Sequence, residues 1–375
     1  MERTEKALTP VKNIGNAEIF AGENLNAAIP HTVAKILEDG QILLLYDGGT
    51  KSAADATAAE LKGYGYRVSA HDIAEHIVPE EYCRLVFGVG AGSVADACGK
   101  AAAALDADCV LSVTAPSCAS LLAGGRVRQV YLDKSALDRC PRECVAAGWG
   151  LVLSRAMDRF EEYFEEKVLA KGKCAESAAR ELRSDADETA LAVRLLEMSA
   201  EDAVRGRREK TASETVAELL ACIARSRGKK PRLYGEYKFI AACALGVFYS
   251  SFLASPAIDT MPPADHDSAL GELALLTGEP REKLTQSFDF FDVNAYFRIN
   301  YILSEYRVDL LEKLSGIDLR SSERRWRRLY DDAGYWLKSA VTARDVMRAM
   351  ALAGETCGGL LHYAAATGFC ERMLA

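Results

Sequence analysis

The first part of the chain alternates short apolar runs with segments of helical periodicity. The run QILLLY at 41–46 is apolar throughout, which is typical of a strand buried on both faces of a sheet. Further runs of strand length lie at 66–70, 84–89, 109–113 and 129–132, and helices are predicted at 52–61 and 93–105. Strands separated by helices within about thirty residues predict right-handed βαβ units and a parallel sheet.

Beyond residue 154 the strand signals stop and the periodicity of helices takes over. The helical segments are 155–169, 188–205, 214–224, 239–253 and 343–353. Gly206 and Gly228 stand where helices are expected to end, and Pro262, Pro263 and Pro280 mark connections. The predicted fold is α/β, with a parallel-sheet domain over residues 1–154 followed by an all-helical domain over 155–375. A cleft between the two domains is the default ligand site.

Composition places the chain among globular proteins and narrows its partners. Hydrophobic residues make up 49% and charged residues 27%, and the net charge of −8 argues against nucleic acid and anionic membrane surfaces. The first ten residues lack the apolar core of a signal peptide. The uncharged run at 239–258 is long enough to cross a bilayer, but Gly246, Pro256 and the polar residues at 249–251 favour a buried central helix.

The eleven cysteines are scattered through apolar surroundings, and no two of them have the C-x-x-C spacing. Neither a disulfide framework nor a thiolate zinc site is therefore predicted. Reduced and mostly buried cysteines are expected, which favours a cytoplasmic location.

The stretch GVGAGSVADACGK at 88–100 has the first recognisable binding chemistry. Gly88, Gly90 and Gly92 follow what we count as the third strand, and glycine lets phosphate oxygens approach main-chain N–H groups. Ser93 and Asp96 have the spacing of a capping box, and the helix start behind them is a candidate phosphate site. The G-x-G-x-G spacing differs from the G-x-G-x-x-G fingerprint, and no Lys-Ser/Thr pair follows, which excludes a Walker loop. The alternative is a glycine turn that only lets a helix pack closely on its strand.

Four blocks of the chain share one resemblance. They are the glycine stretch, the run SVTAPS at 112–117, the spacing of Asp133, Pro141 and Gly148, and the segment YGEYKFIAACALG at 234–246. They resemble the G-G-G-S-x-x-D-x-x-K, P-T-A-P-S, D-x7-P-x5-A-G and H-G-E-x-V-x-x-G segments of the iron-containing alcohol dehydrogenase and glycerol dehydrogenase superfamily. Glycerol-1-phosphate dehydrogenases are the most similar members, and dehydroquinate synthases belong to the same superfamily.

The resemblance implies a dehydroquinate synthase-like fold with an N-terminal NAD(P)-binding domain, and oxidoreductase chemistry on a small polyol or polyol phosphate. It implies NAD or NADP as the cofactor, and it implies a homo-oligomer. The expected cofactor-binding residues are Gly90, Gly92, Ser93, Asp96, Thr114 and Ser117. Asp47 ends the first predicted strand, where doubly wound folds contact a nucleotide ribose, and a simple turn residue is the equal alternative.

The superfamily holds a divalent metal with one Asp and two His, and these ligands are not retained here. Leu151 stands at the Asp position and Tyr234 at one His position, while the helix at 211–226, the place of the other His, contains none. Ala119 and Ala123 replace two polar positions that contact substrate and cofactor. No metal is therefore expected. Tyr234 is a weak catalytic candidate, because a tyrosine with an ordinary pKa of about 10 is a poor acid or base at neutral pH.

Carboxylates offer an alternative cation site. Glu214 and Glu218 share a helix face and Glu236 lies on the next helix, an oxygen-only set that suits Mg²⁺, Mn²⁺ or Ca²⁺. The competing interpretation is that Thr211 and Glu214 form a capping box and that Glu218 is solvated. Among the histidines, His266 is expected at a helix N-terminus and His362 in a satisfied core or interface position.

Two function hypotheses follow from these residues. The first is a dehydrogenase of small polyols or their phosphates with a rebuilt, metal-free site. The second is a catalytically silent relative that binds a nucleotide or metabolite as a sensor or partner subunit. A dehydroquinate synthase-like lyase is weaker than both, because it would need a comparable metal site. Each hypothesis has a small-molecule ligand and neither nucleic acid nor a membrane as partner.

Overall fold

The chain forms two compact units. The computed structural model describes residues 8–75, 83–117, 125–170, 187–205, 210–229, 232–255, 266–285, 293–317 and 341–367, together with residues 319, 324 and 369. The first unit contains the described residues up to Gly148 and the helix Glu188–Arg205, and the second unit contains those from Trp149 onward that remain. The domain limits at residue 154 stay a prediction. The predictions on Gly206, Pro262 and Pro263 lie outside the described residues.

The first unit is built on a single sheet of parallel strands with one antiparallel edge. Its strands are β1 (Lys12–Ile14), β2 (Ala17–Gly22), β3 (Gln41–Tyr46), β4 (Arg67–Asp72), β5 (Cys83–Gly90), β6 (Asp108–Val113) and β7 (Val127–Asp133). Their order across the sheet is β1-β2-β7-β6-β5-β3-β4, and all pairs are parallel except β1 with β2. The predicted parallel sheet is confirmed, and β3 has the predicted limits.

Sequence patterns missed β1 and β2. These strands form a hairpin with a two-residue turn, in which Ile14 pairs with Ala17 and Gly15 has a φ of 58°. A Gly-Asn pair between two apolar runs is a hairpin signal, but a strand of three residues is too short for its alternation to register. The prediction that the glycine stretch follows the third strand is therefore wrong, because it follows the fifth strand of the chain.

Apolar cores cover both faces of the sheet, because successive strand residues point to opposite sides. The helices of this unit are α1 (Ile29–Val33), α2 (Lys51–Tyr64), α3 (Ser93–Leu105), α4 (Lys134–Leu137), the beginning of α5 (Arg142–Phe164) and α6 (Glu188–Arg205), with a short 3₁₀ segment at Leu25–Ala28. Leu43 and Leu45 of β3 belong to the core that contains Val94 of α3. Ile42 and Leu44 face the opposite core with Leu61 of α2.

The described secondary structure of the second unit is entirely helical, as predicted. After α5 and a π-helical turn at Glu165–Leu169 come α7 (Ala212–Ser226), α8 (Tyr234–Ala254), α9 (His266–Thr277), α10 (Arg281–Thr285), α11 (Val293–Ser315), α12 (Ala343–Gly354) and α13 (Gly359–Ala366). In the first unit, the predicted helices at 93–105 and 188–205 correspond to α3 and α6 and have the limits that the sequence indicated.

Helix α8 is a core helix of this unit. By length and apolar composition alone it is the one described helix that could cross a membrane, yet 67% of its most apolar window is buried within the protein. Phe239, Ile240 and Leu245 have no exposed surface. The buried central helix expected from the sequence is confirmed.

The described cysteines are free thiols. No disulfide joins them, and Cys83, Cys98, Cys109 and Cys357 are buried. Burial and the nearby Cys144 raise the pKa of the Cys140 thiol to about 12, which keeps it protonated and unreactive at neutral pH.

Candidate functional site

The glycine stretch forms a tight turn, residues 90–93, between β5 and α3, which we call the β5–α3 turn. Gly92 has a φ of 48° and is the residue that caps α3, so Ser93 is the first helical residue. No side chain caps the helix, and the N–H of Asp96 donates to the carbonyl of Gly92 at 3.0 Å. The predicted capping box of Ser93 and Asp96 is therefore wrong. Gly92 turns the chain into the helix one residue earlier than a serine cap would, in a backbone conformation that favours glycine.

Close packing of α3 on the sheet accounts for the first two glycines. A Cβ on Gly88 would lie 2.6 Å from the sulfur of Cys98, and one on Gly90 would lie 2.6 Å from a methyl carbon of Val94. A Cβ on Gly92 would instead meet nothing nearer than Ser117, at 3.8 Å. The packing alternative thus explains Gly88 and Gly90, while Gly92 is required by the shape of the turn, since an added Cβ would make only an ordinary contact with Ser117.

The main-chain donors of the β5–α3 turn are available to a ligand. The N–H of Val94 donates to the carbonyl of Ala91 at 3.1 Å, whereas those of Gly92 and Ser93 have no acceptor within the described part of the chain. The side chain of Ser93 is exposed. Free N–H groups at the start of a helix of thirteen residues attract an anion, and the helix dipole strengthens that attraction.

Parallel pairing brings the end of β6 beside this turn. Gly90 pairs with Val113, and the N–H of Thr114 donates to the carbonyl of Gly90 at 3.3 Å. Ser117 follows, and its Oγ lies 3.9 Å from the position of a Cβ on Gly92. The structure therefore brings five of the predicted cofactor residues together at one edge of the sheet: Gly90, Gly92, Ser93, Thr114 and Ser117.

Asp47 follows the neighbouring strand β3 at the same edge. Its carboxylate accepts hydrogen bonds from the N–H and the hydroxyl of Thr50, both at 3.0 Å, and closes the turn into α2. The turn interpretation of Asp47 is confirmed, and a contact with ribose stays a prediction. Asp96 is exposed on the first turn of α3, so its carboxylate adds negative charge next to the candidate anion site.

Asp133 has a structural role at the end of β7. Its carboxylate accepts hydrogen bonds from the N–H groups of Leu25 at 2.8 Å and Ser135 at 2.9 Å, and from the Ser135 hydroxyl. Burial opposes the charge, but these bonds and one from the Asn24 N–H lower the pKa of Asp133 below its ordinary value. The carboxylate ties the chain after β2 to the start of α4.

Two glycines of α5 are required by close backbone contacts, a role that sequence reasoning did not assign. A Cβ on Gly148 would overlap the carbonyl oxygen of Pro116, and a Cβ on Gly150 would overlap that of Gly235 at the start of α8. Gly148 therefore lets α5 support the loop that carries Ser117. Gly150 lets α5 and α8 cross in contact within the second unit.

Around the positions where the resemblance placed metal ligands, the second unit contains a buried lysine. Leu151 of α5 is 7% exposed, and Tyr234, the first residue of α8, is 44% exposed. One turn after Tyr234, the Nζ of Lys238 donates to the Oγ of Ser213 at 3.1 Å and lies 3.4 Å from a carboxylate oxygen of Glu214. The same Nζ is 5.9 Å from the centre of the Tyr234 ring.

A buried carboxylate completes this arrangement. The hydroxyl of Ser213 donates to Asp158 of α5 at 2.6 Å, and both residues are buried. Lys238, Ser213, Asp158 and Glu214 are called the Lys238 cluster below. Sequence reasoning missed it, although a lysine within a long apolar helix is a signal that a buried partner of opposite charge exists.

The residues of this region do not fit a divalent cation. The ammonium group of Lys238 lies against Ser213 and Glu214. Both residues belong to α7, the helix in which the resemblance expects the second histidine, about eighteen to twenty-one residues before Tyr234. Among the described residues, no group of three or more His, Cys, Asp or Glu side chains is arranged to hold a metal ion.

The carboxylate alternative is not supported either, because each of its three members already has a partner. Glu214 accepts from the N–H of Thr211 in a complete capping box, as one of the two sequence interpretations expected. Glu218 pairs with Lys210 at 2.7 Å, and Glu236 accepts from the N–H of Leu233 at 2.9 Å.

The environment of Tyr234 keeps its hydroxyl protonated. Partial burial raises the pKa of Tyr234 above its ordinary value, and the carboxylates of Glu214, Glu218 and Asp158 raise it further. Lys238 is nearby, but it is occupied by Ser213 and Glu214. Tyr234 can therefore donate a hydrogen bond at neutral pH and cannot act as a base.

Two histidine predictions are confirmed by position. His362 is buried in α13, with its Nδ1 at 2.5 Å from the carbonyl oxygen of Gly354. His266 is the first residue of α9. The positions of Ala119 and Ala123 lie outside the described residues.

Comparison with solved structures shows the fold. The chain is similar to maleylacetate reductase from Agrobacterium tumefaciens, with a TM-score of 0.53 and 13% identity over 97% of each chain. It is also similar to an alcohol dehydrogenase from Oenococcus oeni, with a TM-score of 0.52 and 12% identity over 96% of this chain and 98% of the other. A 1,3-propanediol oxidoreductase gives a TM-score of 0.50 and 16% identity over 97% of this chain and 99% of the other. No protein-family model matches the chain, and a search of curated protein sequences gives no match. The predicted fold class is confirmed.

Proposed function

We propose that this chain is a dinucleotide-binding relative of the iron-containing alcohol dehydrogenases, and that it holds the pyrophosphate of NAD or NADP on the β5–α3 turn. One observation carries the proposal: Gly92 leaves its own N–H and that of Ser93 without an acceptor among the described residues, at the start of α3. Pyrophosphate binding by such donors needs no side chain and uses the helix dipole.

The surrounding residues support a dinucleotide in preference to a single phosphate. The hydroxyls of Thr114 and Ser117 follow β6 beside the turn, and Asp47 follows β3 at the same edge. In parallel sheets, nucleotides lie across the carboxyl ends of adjacent strands. We place the ribose toward Asp47 and the nicotinamide half toward Thr114 and Ser117.

The fold is shared with reductases and dehydrogenases, which supports an oxidoreductase by descent. The sequence resemblance extends the proposal to a small polyol or polyol phosphate as the substrate. A bound nicotinamide would supply hydride transfer. The contribution of this chain to the reaction would be Tyr234, whose raised pKa suits a hydrogen bond to a carbonyl oxygen and not removal of an alcohol proton.

A second candidate function is a catalytically silent nucleotide- or metabolite-binding protein. It is favoured by the Lys238 cluster, because the positive charge in that region already has its partners in Ser213 and Glu214. A cytosolic homo-oligomer is proposed for both candidates.

A charge placed at Ser93 tests nucleotide binding. Ser93→Asp sets a carboxylate against the pyrophosphate while leaving the helix start electrostatically favourable, and Ser93→Asn is its uncharged counterpart of the same shape. We expect calorimetric titration with NADH and NADPH to show binding to the wild type. We expect the Kd of Ser93→Asp to rise by about tenfold or more, which corresponds to about 1.4 kcal/mol. The Asn variant should stay within about threefold of the wild type.

The proposal is wrong if neither dinucleotide binds the wild-type chain, or if the Asp and Asn variants bind alike. Once binding is established, NADH or NADPH oxidation with small aldehydes, ketones and their phosphorylated forms separates the two functions. Turnover that Tyr234→Phe abolishes supports the reductase, and binding without turnover supports the silent protein.

A further inference from the structure

Lys238 places a positive charge inside the helical unit. Only 3% of the residue is exposed, and its Nζ contacts Ser213 and Glu214. An ammonium group removed from water costs several kcal/mol unless opposite charge and hydrogen bonds replace its hydration. The cluster provides both, because Glu214 faces the ammonium group directly and Asp158 is linked to it through Ser213.

Three helices meet at this charge. Asp158 lies on α5, Ser213 and Glu214 lie on α7, and Lys238 lies on α8. Without a cation, the carboxylate of Asp158, which is 4% exposed, would keep only the Ser213 hydroxyl as a described partner. Glu214, whose side chain is 36% exposed, would lose its ion pair with Lys238 as well but would keep its access to water.

Lys238 lies close to the positions where the resemblance predicts metal ligands. Tyr234 stands at one predicted ligand position, and Ser213 and Glu214 lie 21 and 20 residues before it, where the other histidine is expected. We propose that Lys238 takes the place of a divalent cation, so that its ammonium group joins α5, α7 and α8 by holding Asp158, Ser213 and Glu214 together. The helical unit then assembles without a metal ion. This inference does not depend on nucleotide binding by the first unit.

The test compares Lys238→Ala with Lys210→Ala after dialysis against a chelator. Lys210 is a matched control because it is an exposed lysine that pairs, at 2.7 Å, with Glu218, which lies one turn after Glu214 on α7. We expect the Tm of Lys238→Ala to fall by roughly 10 °C, because a buried carboxylate loses its cation, and that of Lys210→Ala to change by about 2 °C or less.

Added Mn²⁺ gives the second readout. Lys238→Ala exposes the oxygen atoms of Asp158, Ser213 and Glu214, which are ligands that Mn²⁺ accepts, so millimolar MnCl₂ should raise the Tm of this variant in a saturable manner. The wild type and Lys210→Ala should not respond. The double variant Lys238→Ala/Asp158→Asn removes the unpaired charge, so it should be more stable than Lys238→Ala and should lose the response to Mn²⁺.

Several outcomes would overturn the proposal. They are stoichiometric divalent metal in the dialysed wild type, a Mn²⁺ response of the wild type equal to that of Lys238→Ala, no difference between the two alanine variants, or a destabilised Lys238→Ala without any Mn²⁺ response. If Lys238→Ala does not fold, its refolding yield with and without MnCl₂ replaces the Tm. NADH titration of the same samples keeps this result separate from the proposed function, since neither lysine belongs to the β5–α3 turn.

Discussion

The β5–α3 turn and the Lys238 cluster differ in whether their polar groups have hydrogen-bond partners within the chain. At the turn, the N–H groups of Gly92 and Ser93 have no acceptor in the described part of the chain. In the cluster, the ammonium group of Lys238 and the hydroxyl of Ser213 each have at least one partner within hydrogen-bonding distance. The turn therefore has unpaired main-chain donors among the described residues, whereas the polar groups of the cluster have partners within the chain.

This difference shows which kind of site tolerates sequence change. A backbone anion site needs only a helix start and a residue able to adopt the turn, which Gly92 provides. A side-chain cation site needs each of its ligands, and the resemblance predicts no such site here because Leu151 and Tyr234 stand at two ligand positions. The following predictions test this comparison, from the largest expected effect to the smallest.

Substitution of the close-contact glycines should have the largest effect. In Gly150→Ala the new methyl group would overlap the carbonyl oxygen of Gly235, and in Gly148→Ala it would overlap the carbonyl oxygen of Pro116. The backbone must therefore shift to accommodate either substitution. We expect each variant to lose about 3 kcal/mol or more of unfolding free energy in urea. Gly99→Ala is the control, because nothing lies within 4 Å of its added Cβ, and it should be stabilised by about 0.5–1 kcal/mol.

Gly148→Ala should also affect the β5–α3 turn without affecting the Lys238 cluster. Its contact supports the loop of Ser117, so dinucleotide binding should weaken in Gly148→Ala, while the Mn²⁺ response of a Lys238→Ala background should not change. Equal stability of Gly148→Ala and Gly99→Ala would contradict the packing of α5 described above.

Removal of one hydroxyl from each region should give unequal losses. Ser213→Ala leaves Lys238 and Asp158 without their shared partner, and we expect a loss of about 2 kcal/mol, because buried charged groups lose hydrogen bonds. Ser117→Ala, at the edge of the turn, should change the stability by about 0.5 kcal/mol or less and weaken dinucleotide binding instead. Urea unfolding and calorimetric titration measure the two effects. Similar stability losses in both variants would remove the distinction between a satisfied and an open region.

Asp133 gives the smallest effect and a pH dependence of known sign. Its pKa is lower in the folded chain than in the unfolded one, so its stabilising contribution is present above the unfolded value of about 3.9 and is lost as the pH falls through the folded value. We expect Asp133→Asn to cost about 1 kcal/mol at pH 7 and nothing at the lowest pH.

The Tm measured from about pH 7 down to pH 2.5 checks this prediction. Asp138→Asn is the control, since Asp138 forms an exposed pair with Lys134 at 3.1 Å and should change the stability little at any pH. If the difference in Tm between wild type and Asp133→Asn persists unchanged at acid pH, the stabilisation by Asp133 does not depend on the charge of its carboxylate.

Much of the fold could be read from residue patterns. The apolar run of β3 and the periodicity of α3 and α6 predicted their limits, because each element is long enough to show its period. The β1–β2 hairpin was not predicted, because β1 has only three residues and is too short to show a strand pattern. The prediction of a capping box at Ser93 was wrong because the spacing of residue types does not determine the φ of Gly92, which caps the helix instead.

The sequence by itself determined the type and order of the main elements, the location of the glycine turn at a strand end, and the absence of histidine from the expected ligand positions. These are local properties, since they follow from residue type and periodicity. Only the tertiary structure decided which glycines serve packing and which the turn, and that Lys238 meets Ser213 and Glu214. Those facts depend on distances between segments far apart in the chain, which residue patterns do not contain.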